Sequence, residues 1–214
     1  MKRTGCLIAL VVAVVILGMS LMGVYNGLVG SQQAVEAQWG QVQNAYQRRA
    51  DLIPNLVKTV QGSAAFEQTT LKEVVEARSR VGQATPQVPA EVLNDPQKFQ
   101  QYQQAQDALG SALGRLLVVV ERYPELKSTS AFQGLMVALE GSENRINVER
   151  HNFNTAAQEY NTRVRRFPAV LFASMMGFQP KPYFQAQAGA ESAPKVDFGP
   201  TGTGAPAPAP NPGR

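Results

Sequence analysis

Cysteine, histidine and tryptophan each occur once in this chain of 214 residues, and these shortages close off several kinds of chemistry. A lone cysteine, Cys6, allows neither a disulfide nor a cysteine-based zinc site within one chain. It also makes a poor lipid-attachment site, because the few residues before it include Lys2 and Arg3 instead of an apolar stretch. The lone histidine, His151, is accompanied by no HExxH or CxxC pattern and reads as a surface residue two positions from a hydrophobic stripe. No glycine-rich phosphate loop is present, since Gly110 and Gly114 fall inside a helical stripe, where they suit tight helix packing. Charge is sparse at 17% of residues. Lys2, Arg3, Lys181, Lys195 and Arg214 lie outside the expected long helices of the bundle, so the net charge of +4 argues for no nucleic-acid surface. Strand-like alternation is missing, and proline and glycine gather toward the two ends.

What the chain does have is a long apolar run. No charged residue occurs from Thr4 to Val35, and CLIALVVAVVILGMSLMGV at positions 6–24 is long enough to cross a bilayer as a helix. A cleaved signal peptide is the competing reading, but the run is long for one, so an uncleaved anchor is expected. Lys2 and Arg3 before the run, with Glu36 as the first charge after it, place the N-terminus in the cytoplasm and the body on the other side of the cell membrane. Gly23 and Gly27 form a small-xxx-small pair that could admit a second helix, which leaves a homo-oligomer open.

Beyond the anchor the pattern is helical throughout. Apolar side chains recur at three- and four-residue steps from Leu28 through Val35, Trp39, Val42, Tyr46, Ile53, Leu56 and Val60 to Val81. Pro54 interrupts this register. Either one long helix kinks there, or a helix ends near Arg49 and another starts with Asp51 as its N-cap and Pro54 in its first turn. Gly82, Pro86, Pro89 and Pro96 predict a loop over 83–96. A second long helix carries Tyr102, Ala105, Leu109, Ala112, Leu116, Val119 and Tyr123 at coiled-coil spacing and closes at Pro124. A third starts near Ser128 or Ser130, carries Phe132, Leu135, Leu139, Ile146, Phe153, Tyr160 and Phe167, and ends at Pro168. Such helices bury their stripes only against one another, which predicts an all-α, antiparallel up-and-down bundle. The segment 169–176 should form a final turn that packs on the bundle or touches the membrane. After Phe184 a tail rich in Pro, Ala and Gly is expected to be extended and disordered. The expected division is a short N-terminal tail over 1–5, a transmembrane helix over 6–26, the bundle over 27–184 and the tail over 185–214.

No catalytic, cofactor or metal site is expected, and the informative side chains are polar. Asn147, Asn154 and Asn161 recur every seven residues along one side of the third helix, with Glu140 at the preceding equivalent position. Arg48, Arg49, Asp51 and Asn55 cluster near Pro54, while Glu143, Arg150 and Arg163 share the third helix. Arg49, Asp51, Asn55, Glu143, Arg150, Asn154 and Asn161 form the candidate interaction patch. They either pair across the bundle and fix its register, or line a polar groove that docks a peptide or another membrane protein. Arg163, Arg165 and Arg166 suit a helix C-terminus, or would meet anionic head groups if that end lies near the bilayer.

Several segments carry a family likeness: VYNGLV at 24–29, QRRADLIPNLVKTV at 47–60, ERYPEL at 121–126 and LEGSENRINVERHNFN at 139–154. The likeness continues through EYNTRVRRFP at 159–168, MGFQPKPYF at 176–184 and PKVDFG at 194–199. Over these stretches the chain resembles the LemA family of bacterial single-pass membrane proteins. The resemblance implies a four-helix bundle, which tilts the Pro54 question toward a break in the helix. It carries no established reaction or cofactor. Because family members often lie beside genes for membrane metallopeptidases or secreted TPM-domain proteins, it suggests an envelope partner, with an accessory subunit of a membrane peptidase or a simple envelope spacer as alternatives. Phe153, where the family usually has tyrosine, and KSTSAF at 127–132 depart from the pattern. The missing hydroxyl at Phe153 argues against a catalytic tyrosine there.

Overall fold

The structure, a computed structural model, describes residues 2–62, 67–84 and 89–186. Among these the chain is helical and contains no strand: α1 (Lys2–Gln61), α2 (Gln68–Ala84), α3 (Pro89–Asn94), α4 (Pro96–Val120), α5 (Pro124–Lys127) and α6 (Ser130–Arg165), then a short 3-10 turn (Ala169–Leu171). The chain to Phe184 forms one compact unit, and Gln185 onward is assigned to another, of which only Gln185 and Ala186 are described. Of the tail expected over 185–214, residues 187–214 lie outside the described residues.

α1 runs without a break from the apolar stretch into the bundle. No helix ends near Arg49 and Asp51 caps nothing, which corrects the break implied by the family resemblance. Pro54 sits inside α1, and its missing N–H frees the carbonyl of Ala50 one turn earlier. That carbonyl instead accepts from Nε of Arg78 on α2, at 3.3 Å. The division falls later: α1 stops at Gln61, Gly62 donates back to the Lys58 carbonyl, and α2 begins at Gln68. The bundle thus keeps four main helices, with α1 ending about two helical turns beyond Pro54.

Local signals place the remaining boundaries. Asp95 caps α4 by accepting from the N–H groups of Gln97 and Lys98 at 2.9 and 3.2 Å, with Pro96 in the first turn. Thr129 caps α6 through the N–H of Phe132. Pro89 opens α3, a short helix inside the span expected to be a loop. Its Val92 and Leu93 are buried, so packing overrides a proline-rich local sequence. The third stripe also ends earlier than expected, at Val164, and Phe167 is 76% exposed.

Contacts fix the topology. Pairing of Arg49 with Glu143 and of Gly27 with Arg163 shows α1 and α6 to be antiparallel. Pairing of Arg115 with Glu73 and of Arg122 with Glu67, just before α2, shows the same of α4 and α2. Trp39 against Phe99 and Arg49 against Gln106 make α1 and α4 parallel. The architecture is an up-and-down bundle.

Its core is divided into two. One apolar cluster, from Ile53, Leu56 and Val60 to Leu71, Leu116 and Phe132, is built by all four long helices. The other, from Leu28, Trp39 and Tyr46 to Phe99, Phe153 and Tyr160, lies nearer the apolar end of α1. α2 spans about 25 Å against about 54 Å for α6 and contributes nothing to this second cluster. α3 and the chain at 169–184 fill its place.

Candidate interaction site

A polar layer separates the two apolar clusters. At its centre is Arg49, 3% exposed, whose guanidinium donates to the Gln106 side-chain oxygen (2.6 Å), the Gln106 carbonyl (3.1 Å) and a Glu143 carboxylate oxygen (2.9 Å). A Cβ at Gly110 would lie 3.6 Å from this guanidinium, and one at Gly114 would touch nothing. Neither glycine therefore serves a close helix approach as its position in the stripe suggested. Beside Arg49, Arg150 donates to the Tyr46 hydroxyl at 2.6 Å and to Asp107 at 2.7 Å. Both guanidinium groups lie over the Tyr46 ring, at 5.2 and 5.5 Å from its centroid. Burial pushes the Tyr46 phenol up to about 12 even though Arg150 beside it favours the phenolate. Tyr102, stacked edge-on against Tyr46, is raised as well, first by burial. For Arg150 burial works against the charge, but Tyr46 and Asp107 outweigh it and its affinity for the proton is raised.

The second arrangement lies along α6. After a turn at Gly177, whose φ of 84° favours glycine, the chain at 178–184 runs extended against the helix. Asn161 donates to the carbonyl of Lys181 (2.8 Å) and accepts from its N–H (2.7 Å). Asn154 does the same for Phe184, at 2.9 Å each way. The spacing explains the heptad: seven helical residues rise about 10.5 Å, close to the reach of about 10 Å of three extended residues, so both amides meet the strap in register. Each asparagine amide sets an N–H donor beside a carbonyl acceptor, which is what an unpaired backbone residue needs, and the Asn161 NH2 also donates to the Tyr183 hydroxyl at 2.9 Å. Phe184 then enters the aromatic cluster of Trp39, Phe99 and Phe153, with ring centroids 4.8 to 6.1 Å away. The Lys181 ammonium is buried against the Tyr160 ring and bonded to the side-chain oxygen of Asn94 on α3. Burial lowers its proton affinity, opposed by Glu36.

The polar residues singled out in the sequence therefore divide three ways. Arg49, Glu143 and Arg150 share the layer, while Asn154 and Asn161 hold the strap. Asp51 and Asn55 belong to neither: both are exposed, and Asp51 accepts from Gln47 one turn earlier on α1. The side of α6 that carries Asn154 and Asn161 is covered by the chain's own segment 178–184. Asn147 and Glu140, the other heptad positions, are exposed, as is His151. Sequence reasoning missed Tyr46 and Gln106 as polar partners because both fall in or beside apolar stripes. It also missed Asp107 and Lys181, whose partners are far away in the chain. Among the described residues no three His, Cys, Asp or Glu side chains gather as metal ligands would.

The LemA family model matches residues 38–198, three-quarters of the chain and all of both arrangements. The chain belongs to the LemA family. Similar proteins include the magnetosome proteins MamQ 1 and MamQ 2 of Paramagnetospirillum magneticum, each 29% identical over 85% of this chain and 72% of their own length. The magnetosome protein MamQ of Magnetospirillum gryphiswaldense is 30% identical over 78% of this chain and 67% of its own. Among the described residues of this LemA-family protein one helix, α1, is long and apolar enough to cross a membrane, and none of its most apolar stretch is buried within the chain. The protein is thus a membrane-associated helical protein.

Proposed function

We propose that this LemA-family protein is a single-pass, non-catalytic interaction module that holds a helical bundle at the surface of the cell membrane. One observation carries the reading: of the candidate polar side chains, Arg49, Glu143, Arg150, Asn154 and Asn161 are engaged within the fold. Arg49 pairs with Glu143 and Arg150 with Tyr46 and Asp107 across the bundle, and Asn154 and Asn161 are taken up by the backbone of the strap. Such groups give a unique register and a rigid surface, not a nucleophile with its base. Continuity of α1 supports the tether, since a helix shared by membrane and bundle transmits position without a linker. Lys2 and Arg3 support a cytoplasmic N-terminus and a body on the far side. The relatives' names point to a cellular structure, the magnetosome, and to no reaction. The partner on this reading is another protein of the same membrane or envelope, or a second copy of the chain.

Mild cross-linking in intact membranes, followed by purification of the full chain, tests the proposal. A reproducible membrane or envelope protein, or a dimer of the chain, is the expected product. Recovery of the uncoupled chain alone under saturating reagent would count against an interaction role and favour a spacer, whose behaviour should change when residues 185–214 are removed.

A further inference from the structure

The end of α6 and the turn after it lie level with the exit of the apolar stretch of α1. Gly23 and Gly27 of α1 face Arg163, Arg166 and Phe167 across an open cleft of about 700 Å³, and the Tyr25 ring packs edge-on against Phe178 at 5.7 Å. The apolar side chains of α1 from Leu10 to Met22 are largely exposed, so the cleft opens where that exposed surface stops. The glycine pair is thus turned toward this cleft, with the Arg163 guanidinium 3.7 Å from where a Gly27 side chain would begin.

The turn itself is held rigidly but displays the wrong surface for water. Ala169, Ala173 and Phe178 are buried and fix it to the bundle. Between them Phe167, Val170, Leu171, Met175 and Met176 point outward, Phe167 76% and Met175 79% exposed. Single exposed apolar residues are ordinary, as Val137 and Val148 are on α6, but five in ten residues are not. Arg163, Arg165 and Arg166 border the turn, are exposed, and enter no ion pair among the described residues. Glu159 is the acidic side chain lining the cleft. An apolar surface rimmed by arginine, beside a membrane span and at its exit depth, has the makeup of an element lying in the boundary between head groups and acyl chains. A soluble partner would first have to displace the lipid next to α1.

We propose that the turn 167–176 is a second membrane contact: its apolar side chains enter the bilayer interface while Arg163, Arg165 and Arg166 pair with phosphates of anionic phospholipids. The bundle is then pinned at two points, which fixes its tilt as a tether alone cannot. This rests on the reading that α1 spans the bilayer, and the test separates the two.

The full chain carrying Cys6→Ser is given one cysteine at a time, at Ile16, Val137 or Met175, labelled with a polarity-sensitive fluorophore and reconstituted into vesicles of phosphatidylglycerol and phosphatidylcholine. A label at position 175 should emit to the blue and be quenched by brominated acyl chains several-fold more than one at 137, and replacing all three arginines by glutamine should reduce that quenching. A water-like signal at 175 with a lipid-buried label at 16 overturns the second contact and leaves the span intact. A water-like signal at both positions overturns the span and the proposal with it. Quenching at 175 that is indifferent to the arginine substitutions overturns the phosphate pairing.

Discussion

Asn161→Ala is the most informative single change in the strap. It removes the partner of both the N–H and the carbonyl of Lys181, a residue 5% exposed. If the strap stays in place, two unmatched buried groups at about 1–3 kcal/mol apiece cost about 2–6 kcal/mol. The strap can escape by peeling off, which hydrates those groups but takes Phe184 out of the aromatic cluster at about 1.5–3 kcal/mol and uncovers Trp39, Phe99 and Phe153. The cheaper route prevails, so the loss should be about 2–4 kcal/mol and should appear first as local opening of 178–184. Amide hydrogen exchange reads this directly, since the N–H groups of Lys181 and Phe184 owe their bonds to asparagine side chains. Exchange at both should accelerate in Asn161→Ala and in Asn154→Ala, with α4 and the distal half of α6 unchanged. The double variant should lose less than the sum of the two, because one peeling event releases both contacts. Asn147→Ala, at an exposed position of the same heptad, should do nothing. Unaltered protection of the Lys181 amide in Asn161→Ala would refute the reasoning.

Other consequences follow from the polar layer and from α1. Glu143→Gln should cost more than Arg49→Met, by denaturant unfolding, because the first strands a cation that is 3% exposed whereas the second frees a carboxylate that is 40% exposed and can hydrate. The opposite order would mean that the layer is organised around Glu143. Pro54→Ala should stabilise the protein by about 1–3 kcal/mol by restoring a mid-helix hydrogen bond, and Arg78→Met should hurt the wild type more than the Pro54→Ala variant, since only the former relies on Arg78 to satisfy the Ala50 carbonyl. Tyr46 ionises near 12 when folded against an ordinary value near 10, so the fold favours the neutral phenol. Its contribution, about 3 kcal/mol, is complete below pH of about 10 and is lost as pH rises toward 12. Ultraviolet phenolate absorbance of wild type and Tyr46→Phe should differ by a transition in that upper range, and a difference centred near the ordinary tyrosine value would contradict the burial argument.

The sequence disclosed the helices well because their stripes repeat over many turns, as with Leu109, Leu116 and Tyr102 in α4 or Phe153 and Tyr160 in α6. At Pro54 the residues left a kinked helix and a fresh start both open, and only the family resemblance tilted toward a break; α1 continues, and the carbonyl that the proline frees meets Arg78, a distant donor that no local pattern announces. The sequence misled at α3, where three prolines suggested a loop although two of them start helices. Of the polar patch, the asparagine heptad was visible as a pattern, but its purpose was not. The strap it holds lies twenty to thirty residues away and has no periodicity of its own. Asp51 and Asn55 were drawn in by proximity to Arg49 in sequence; on a helix they point elsewhere.

The central claim is that one helix serves both as membrane span and as the first helix of the bundle. Alkaline carbonate extraction of membranes, comparing the full chain with a form beginning at Gly27, tests it most directly. The full chain should remain with the bilayer, and the shortened form should leave the membrane pellet as a folded helical protein with cooperative unfolding. Release of the full chain by carbonate would contradict the claim.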